Sequence, residues 1–152
     1  MAGRFTIRTT AVIFWASGLF ECFSVTEPQP LAGAMRGGVA AIVYHLVYAA
    51  LFLALGTGLW LLRRWGYRLV FAATALYTLD RFAYLLDDKA RRAEMAQSAL
   101  LQTLEPATVG GIMNMAIALT VLSWWGLAFY IFLRRANFTS GRVSGTNYAY
   151  KA

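Results

Sequence analysis

Five strongly polar or ionisable side chains interrupt the apolar stretches of this chain: Glu21, His45, Asp80, Arg81 and Asn114. An imidazole, two carboxylates, a guanidinium and an amide can relay protons, bind an ion or polar solute, or lock helices in register. In hydrocarbon a lone charge costs several kcal/mol, so such groups face inward and pair. Helical spacing gives them companions. Tyr77, Asp80, Arg81 and Tyr84 follow i, i+3, i+4, i+7 and share one helix face. Ala41, His45, Tyr48 and Phe52 share a second face, and Phe14, Ser17, Gly18, Glu21 and Val25 a third. The expectation is a single polar cluster of the five residues, rimmed by Tyr48, Tyr77 and Tyr84 and open to the outer side. Asp80 and Arg81 are adjacent and project about 100° apart on a helix. Each therefore needs a partner elsewhere, and Arg81 with Glu21 plus Asp80 with His45 would satisfy all four.

Other chemistry is thinly supported. Glu21, His45 and Asp80 carry donor types that ligate zinc or iron, but they come from three segments with no ExxH or HExxH spacing. The spacing of Ala41 and His45 is similar to the small-residue-to-histidine pattern of light-harvesting antenna helices. That similarity implies His45 as an axial ligand for haem or chlorophyll. No GxSxG, Walker or dinucleotide-binding glycine loop is present, so hydrolytic and nucleotide chemistry lack a motif. Cys22 stands alone, cannot form an internal disulfide, and is expected to be a small buried hydrophobe.

The elements that must position these groups are membrane helices. Hydrophobic residues make up 59% of the chain and charged residues 14%, against ~45–50% and ~25% in soluble domains. A domain of 152 residues has too little interior to bury that excess. Four continuous apolar runs, about 9–26, 39–62, 67–86 and 108–133, approach the ~20 residues that cross hydrocarbon. They do not alternate as barrel strands do. Glu27-Pro28-Gln29-Pro30, Arg63-Arg64, Asp87-Asp88-Lys89 and Arg134-Arg135 close them. Arg4 and Arg8 before the first run, with a candidate small-residue cleavage site at Leu31-Ala32-Gly33-Ala34 after it, resemble a signal peptide, but the run exceeds the usual signal core of ~7–15 residues and is expected to be retained.

Basic residues orient the bundle. Arg4, Arg8, Arg63, Arg64, Arg68, Arg134, Arg135, Arg142 and Lys151 fall on one side, and Arg36, Lys89, Arg91 and Arg92 on the other. The richer side is cytoplasmic, so both termini are expected inside, in a plasma (bacterial inner) membrane. The five polar residues then lie roughly 8–9 Å below the outer boundary, at 1.5 Å per residue. Residues 89–104 lack Gly and Pro, and predict an amphipathic surface helix with Met95, Ala99 and Gln102 on one face. Trp60, Trp65, Tyr67 and the Phe129-Tyr130-Phe132 group would form an inner aromatic belt, with Tyr44 and Tyr84 in the outer one. Gly18, Gly56, Gly58 and Gly126 allow close helix approach. Residues 139–152 read as a flexible polar tail after one transmembrane domain, 1–138.

The net charge of +7 comes from helix-flanking residues rather than a solvated basic stripe, so nucleic acid is not an expected partner. The fold class is an all-α, four-span membrane bundle. Its expected role is an accessory, assembly or interaction subunit of a membrane complex or homo-oligomer. The alternative is a small transporter or channel working through the outer cluster.

Overall fold

The computed structural model of the protein describes residues 3–31, 34–97 and 105–138. Among these, the chain is five α-helices, one short antiparallel ladder and a terminal 3-10 turn: α1 (Arg4–Phe23), β1 (Gln29–Leu31), β2 (Ala34–Arg36), α2 (Gly38–Trp60), α3 (Arg64–Leu86), α4 (Asp88–Gln97), α5 (Pro106–Leu133) and the 3-10 turn Arg135–Phe138.

Helix ends follow local chemistry. The Asp87 carboxylate accepts the Ala90 N–H at 3.0 Å, an N-cap bond that starts α4. Pro106 opens α5, where its missing N–H costs nothing. The α2–α3 corner is a Schellman turn: the Arg63 N–H reaches the Gly58 carbonyl and the Leu62 N–H that of Leu59. Leu62 holds φ 52 there, the left-handed conformation that a side chain disfavours. The tight corner is possible because Gly58 and Gly66 meet backbone to backbone, so that a Cβ built on Gly66 would lie 2.4 Å from the Gly58 carbonyl carbon.

The first helix begins five residues before its apolar run and ends at Phe23. Ser24 to Glu27 form a turn, with the Glu27 N–H bonded to the Ser24 carbonyl. The expectation of helices alone is corrected by the ladder, which pairs Gln29 with Arg36, Pro30 with Met35 and Leu31 with Ala34. The second element of difference is α4. It packs on both strands and on the end of α3, so hairpin and helix form a cap on that end of the bundle. Ala99 and Gln102 of the expected surface helix lie outside the described residues, as does the tail 139–152.

The apolar core sits at the opposite end. Ile7 and Ala11 of α1, Leu55 and Leu59 of α2, Val70 and Ala73 of α3, and Ala128 and Ile131 of α5 are buried together, with Phe138 beneath them. α1 packs along α2, α2 against α3, and α3 against α5. α2, α3 and residues 108–133 of α5 are long and apolar enough to cross a membrane. Only 11% of the most apolar window of α5 is buried inside the protein, so most of that surface needs another apolar phase. Cys22, expected to be buried, is exposed; it faces away from the bundle, where lipid would satisfy the same apolar preference.

Candidate functional site

The polar residues do gather at the capped end, but as separate groups. α2 lies between α1 and α3, and its consecutive residues Tyr44 and His45 serve different neighbours. His45 is 3% exposed. Its Nδ1 lies 2.7 Å from Glu21 Oε2 on α1. Its Nε2 lies 3.1 Å from the Gln29 side-chain amide and 3.3 Å from the Glu27 carbonyl. With Nδ1–H donating to the carboxylate, a neutral ring accepts the Gln29 N–H at Nε2. A doubly protonated ring instead donates from Nε2 to the Glu27 carbonyl. Either way the chain entering β1 is strapped over the histidine.

Tyr44 turns to α3. Its hydroxyl donates to Asp80 Oδ2 at 3.4 Å and accepts from Arg81 Nη2 at 3.1 Å. The expected partners of Asp80 and Arg81 are corrected here. Arg81 folds back on its neighbour, with Nε at 2.9 Å and Nη2 at 2.6 Å from Asp80 Oδ2. Divergent Cβ directions do not prevent this, because the long arginine stem lets its head reach what a short side chain could not. The guanidinium also lies over Tyr77 and Tyr84, at 5.3 and 5.7 Å from the ring centroids, a cation–π sandwich. Tyr84 donates to Glu94 of α4. Tyr48 packs tilted against Tyr44, with ring centroids 4.7 Å apart, and Tyr77 stacks on Trp124 at 5.4 Å.

Asn114 joins neither group. It is exposed and takes a 3.4 Å bond from Arg91 of α4, which also pairs with Asp88. Among the described residues, no three His, Cys, Asp or Glu side chains gather to hold a metal. The candidate metal set of Glu21, His45 and Asp80 is thereby corrected, since the fold spends the first two on each other and the third on Arg81. His45 as a haem or pigment ligand meets a similar obstacle: Glu21 takes one ring nitrogen, while Gln29 and Glu27 take the other.

Two concavities flank the Arg81 sandwich. A cavity of about 490 Å³ lies under the cap, lined by Tyr44, Asp80, Arg81, Tyr84, Asp87 and Ile117, and roofed by Gln29, Pro30, Leu31 and Glu94. A groove of about 730 Å³ runs between α1 and α5, with Phe14, Ser17, Phe20 and Glu21 on one wall, Thr120, Ser123 and Trp124 on the other, and Phe52 and Tyr77 between. Gln29, Tyr44, Glu94 and Arg91 were not among the candidate residues. The signal for Tyr44 was its position next to His45: two neighbouring polar residues on a central helix address two flanking helices.

No family model matches this chain, and neither the curated proteins nor the solved structures hold a significant match to it.

Proposed function

We propose that the protein is a four-span integral membrane protein of a plasma membrane, with both termini cytoplasmic, that acts as an accessory or assembly subunit through helix–helix contact with a partner span or a second copy. α1 serves as the remaining span beside the three apolar helices; the flanking basic residues orient the whole.

One observation carries this reading. Ile112, Met115, Leu119, Leu122, Gly126, Phe129 and Leu133 repeat at alternating intervals of three and four residues along α5. All are exposed, the apolar side chains between 51% and 67%. A 3-4 repeat is the pattern of a helix seam. A Cβ at Gly126 would meet nothing within 4 Å, so this glycine spares no contact inside the chain. A small residue in such a stripe permits a second backbone to approach.

A transport role draws support from the capped cavity, which could admit a polar solute. The inner half opposes it: Ile7, Leu55, Leu59, Val70 and Ile131 are fully buried and give no polar route onward. Binding without passage fits that arrangement better.

Cysteine cross-linking tests the subunit role. In a Cys22→Ser background, Leu122→Cys in native membranes is expected to form a disulfide-linked or bismaleimide-linked species, and Gly126→Leu to diminish it. A chain that extracts as a monodisperse monomer with no cross-linked species contradicts the proposal.

A further inference from the structure

The cavity and the groove are neighbours by construction. Asp80 and Arg81 line the cavity, while Tyr77, one helical turn earlier on α3, lines the groove. On α5, Ile117 lines the cavity and Thr120 the groove, again one turn apart. Arg81 lies over the Tyr77 ring, so one aromatic residue forms the wall between a polar chamber and an aromatic trough. A polar chamber next to an apolar trough is the shape complement of an amphiphile.

The charges choose the head. Among the described residues, Asp80 bonds through Oδ2 alone and Glu94 through Oε2 alone, and Arg81 makes its hydrogen bonds through Nε and Nη2. Among these residues the Asp80 and Glu94 carboxylates each keep an oxygen, and the Arg81 guanidinium keeps the N–H groups of Nη1. The chamber thus offers acceptors for an ammonium and donors for a phosphate. A purely anionic head would meet the carboxylates of Asp80, Asp87 and Glu94, and a quaternary ammonium has no N–H to give them.

We propose that the two concavities form one site for an amino-phospholipid of the phosphatidylethanolamine class. Its phosphate bonds Arg81, its ammonium bonds Asp80 and Glu94, and an acyl chain lies in the groove against Phe14, Phe52 and Trp124. This rests on the bilayer setting proposed above but not on α5 having a protein partner.

The test is native mass spectrometry of the full chain in mild detergent. It is titrated with phosphatidylethanolamine, phosphatidylglycerol and phosphatidylcholine of matched chains, and with soluble glycerophosphoethanolamine. Phosphatidylethanolamine should be retained roughly tenfold better than the other two lipids, which corresponds to about 1.4 kcal/mol. Arg81→Gln and Glu94→Gln should each erase that preference. Ser17→Leu, which fills the groove, should weaken retention of all three lipids without changing their order. Should Arg81→Gln fail to fold, Glu94→Gln on the cap carries the head-group arm alone. Equal retention of the three lipids overturns the site, as does displacement of lipid by glycerophosphoethanolamine as effective as by phosphatidylethanolamine itself, or unchanged binding in Ser17→Leu. Release of the chain from membranes by alkaline carbonate overturns the bilayer setting together with the site. Absence of preference in a firmly embedded chain overturns the site alone.

Discussion

At the scale of single residues, the decisive contact is between Glu21 and His45. A 2.7 Å bond joins a carboxylate that is 22% exposed to an imidazole that is 3% exposed. Removing one partner leaves the other poorly solvated, whereas removing both leaves two apolar positions. Glu21→Leu or His45→Leu is therefore expected to destabilise the protein by about 1–3 kcal/mol. The double substitution should recover part of the loss, a coupling measurable by a double-mutant cycle in mixed micelles. Strict additivity would show that the pair contributes no coupling. Which residues are polar, and which helix faces carry them, was legible in the sequence. The pairings were not. Cβ directions set by helix periodicity ignore how far an arginine can fold back, and Arg81 uses that freedom to reach Asp80 rather than Glu21.

At the scale of elements, glycine positions separate packed contacts from open ones. Gly58 and Gly66 meet at the α2–α3 corner, where a Cβ on Gly58 would lie 2.5 Å from the Gly66 Cα. Gly58→Ala or Gly66→Ala must push the helices apart and should cost about 1–3 kcal/mol. Gly126→Ala adds a methyl into open space and should gain up to about 1 kcal/mol in the isolated chain through helix propensity. Thermal melting of the purified variants checks the opposite signs. Leu62 gives a further contrast. Its φ of 52 disfavours any side chain, yet it packs against the core. Leu62→Ala loses packing and keeps the strain, so it should be less stable than Leu62→Gly by about 1 kcal/mol. Equal stability of the two would place the strain elsewhere. The long helices were legible because continuous apolar runs bounded by charge and proline have few other solutions in lipid. The ladder was not. Its strands have three residues each, one of them Pro30, too short for alternation to register. Sequence spacing also gave Gly18, Gly56, Gly58 and Gly126 the same weight, though only the first three pack within the chain.

At the scale of the whole molecule, the two ends differ in kind. One end is sealed by aliphatic packing; the other carries polar pairs under a cap of ladder and helix. Sequence depth alone suggested the polar level, because the interrupting residues sit equally far from their span ends. The cap was hidden, since its contacts join segments that are distant in the chain and short in themselves. The most direct measurement is thiol labelling of sealed cells with a membrane-impermeant maleimide, in a Cys22→Ser background. Glu94→Cys, on the roof of the cavity, should react from the outer side of intact cells, and Leu59→Cys, fully buried in the core, should react from neither side, even after lysis. Labelling of Leu59→Cys, or of Glu94→Cys only once the cells are broken, would contradict the account.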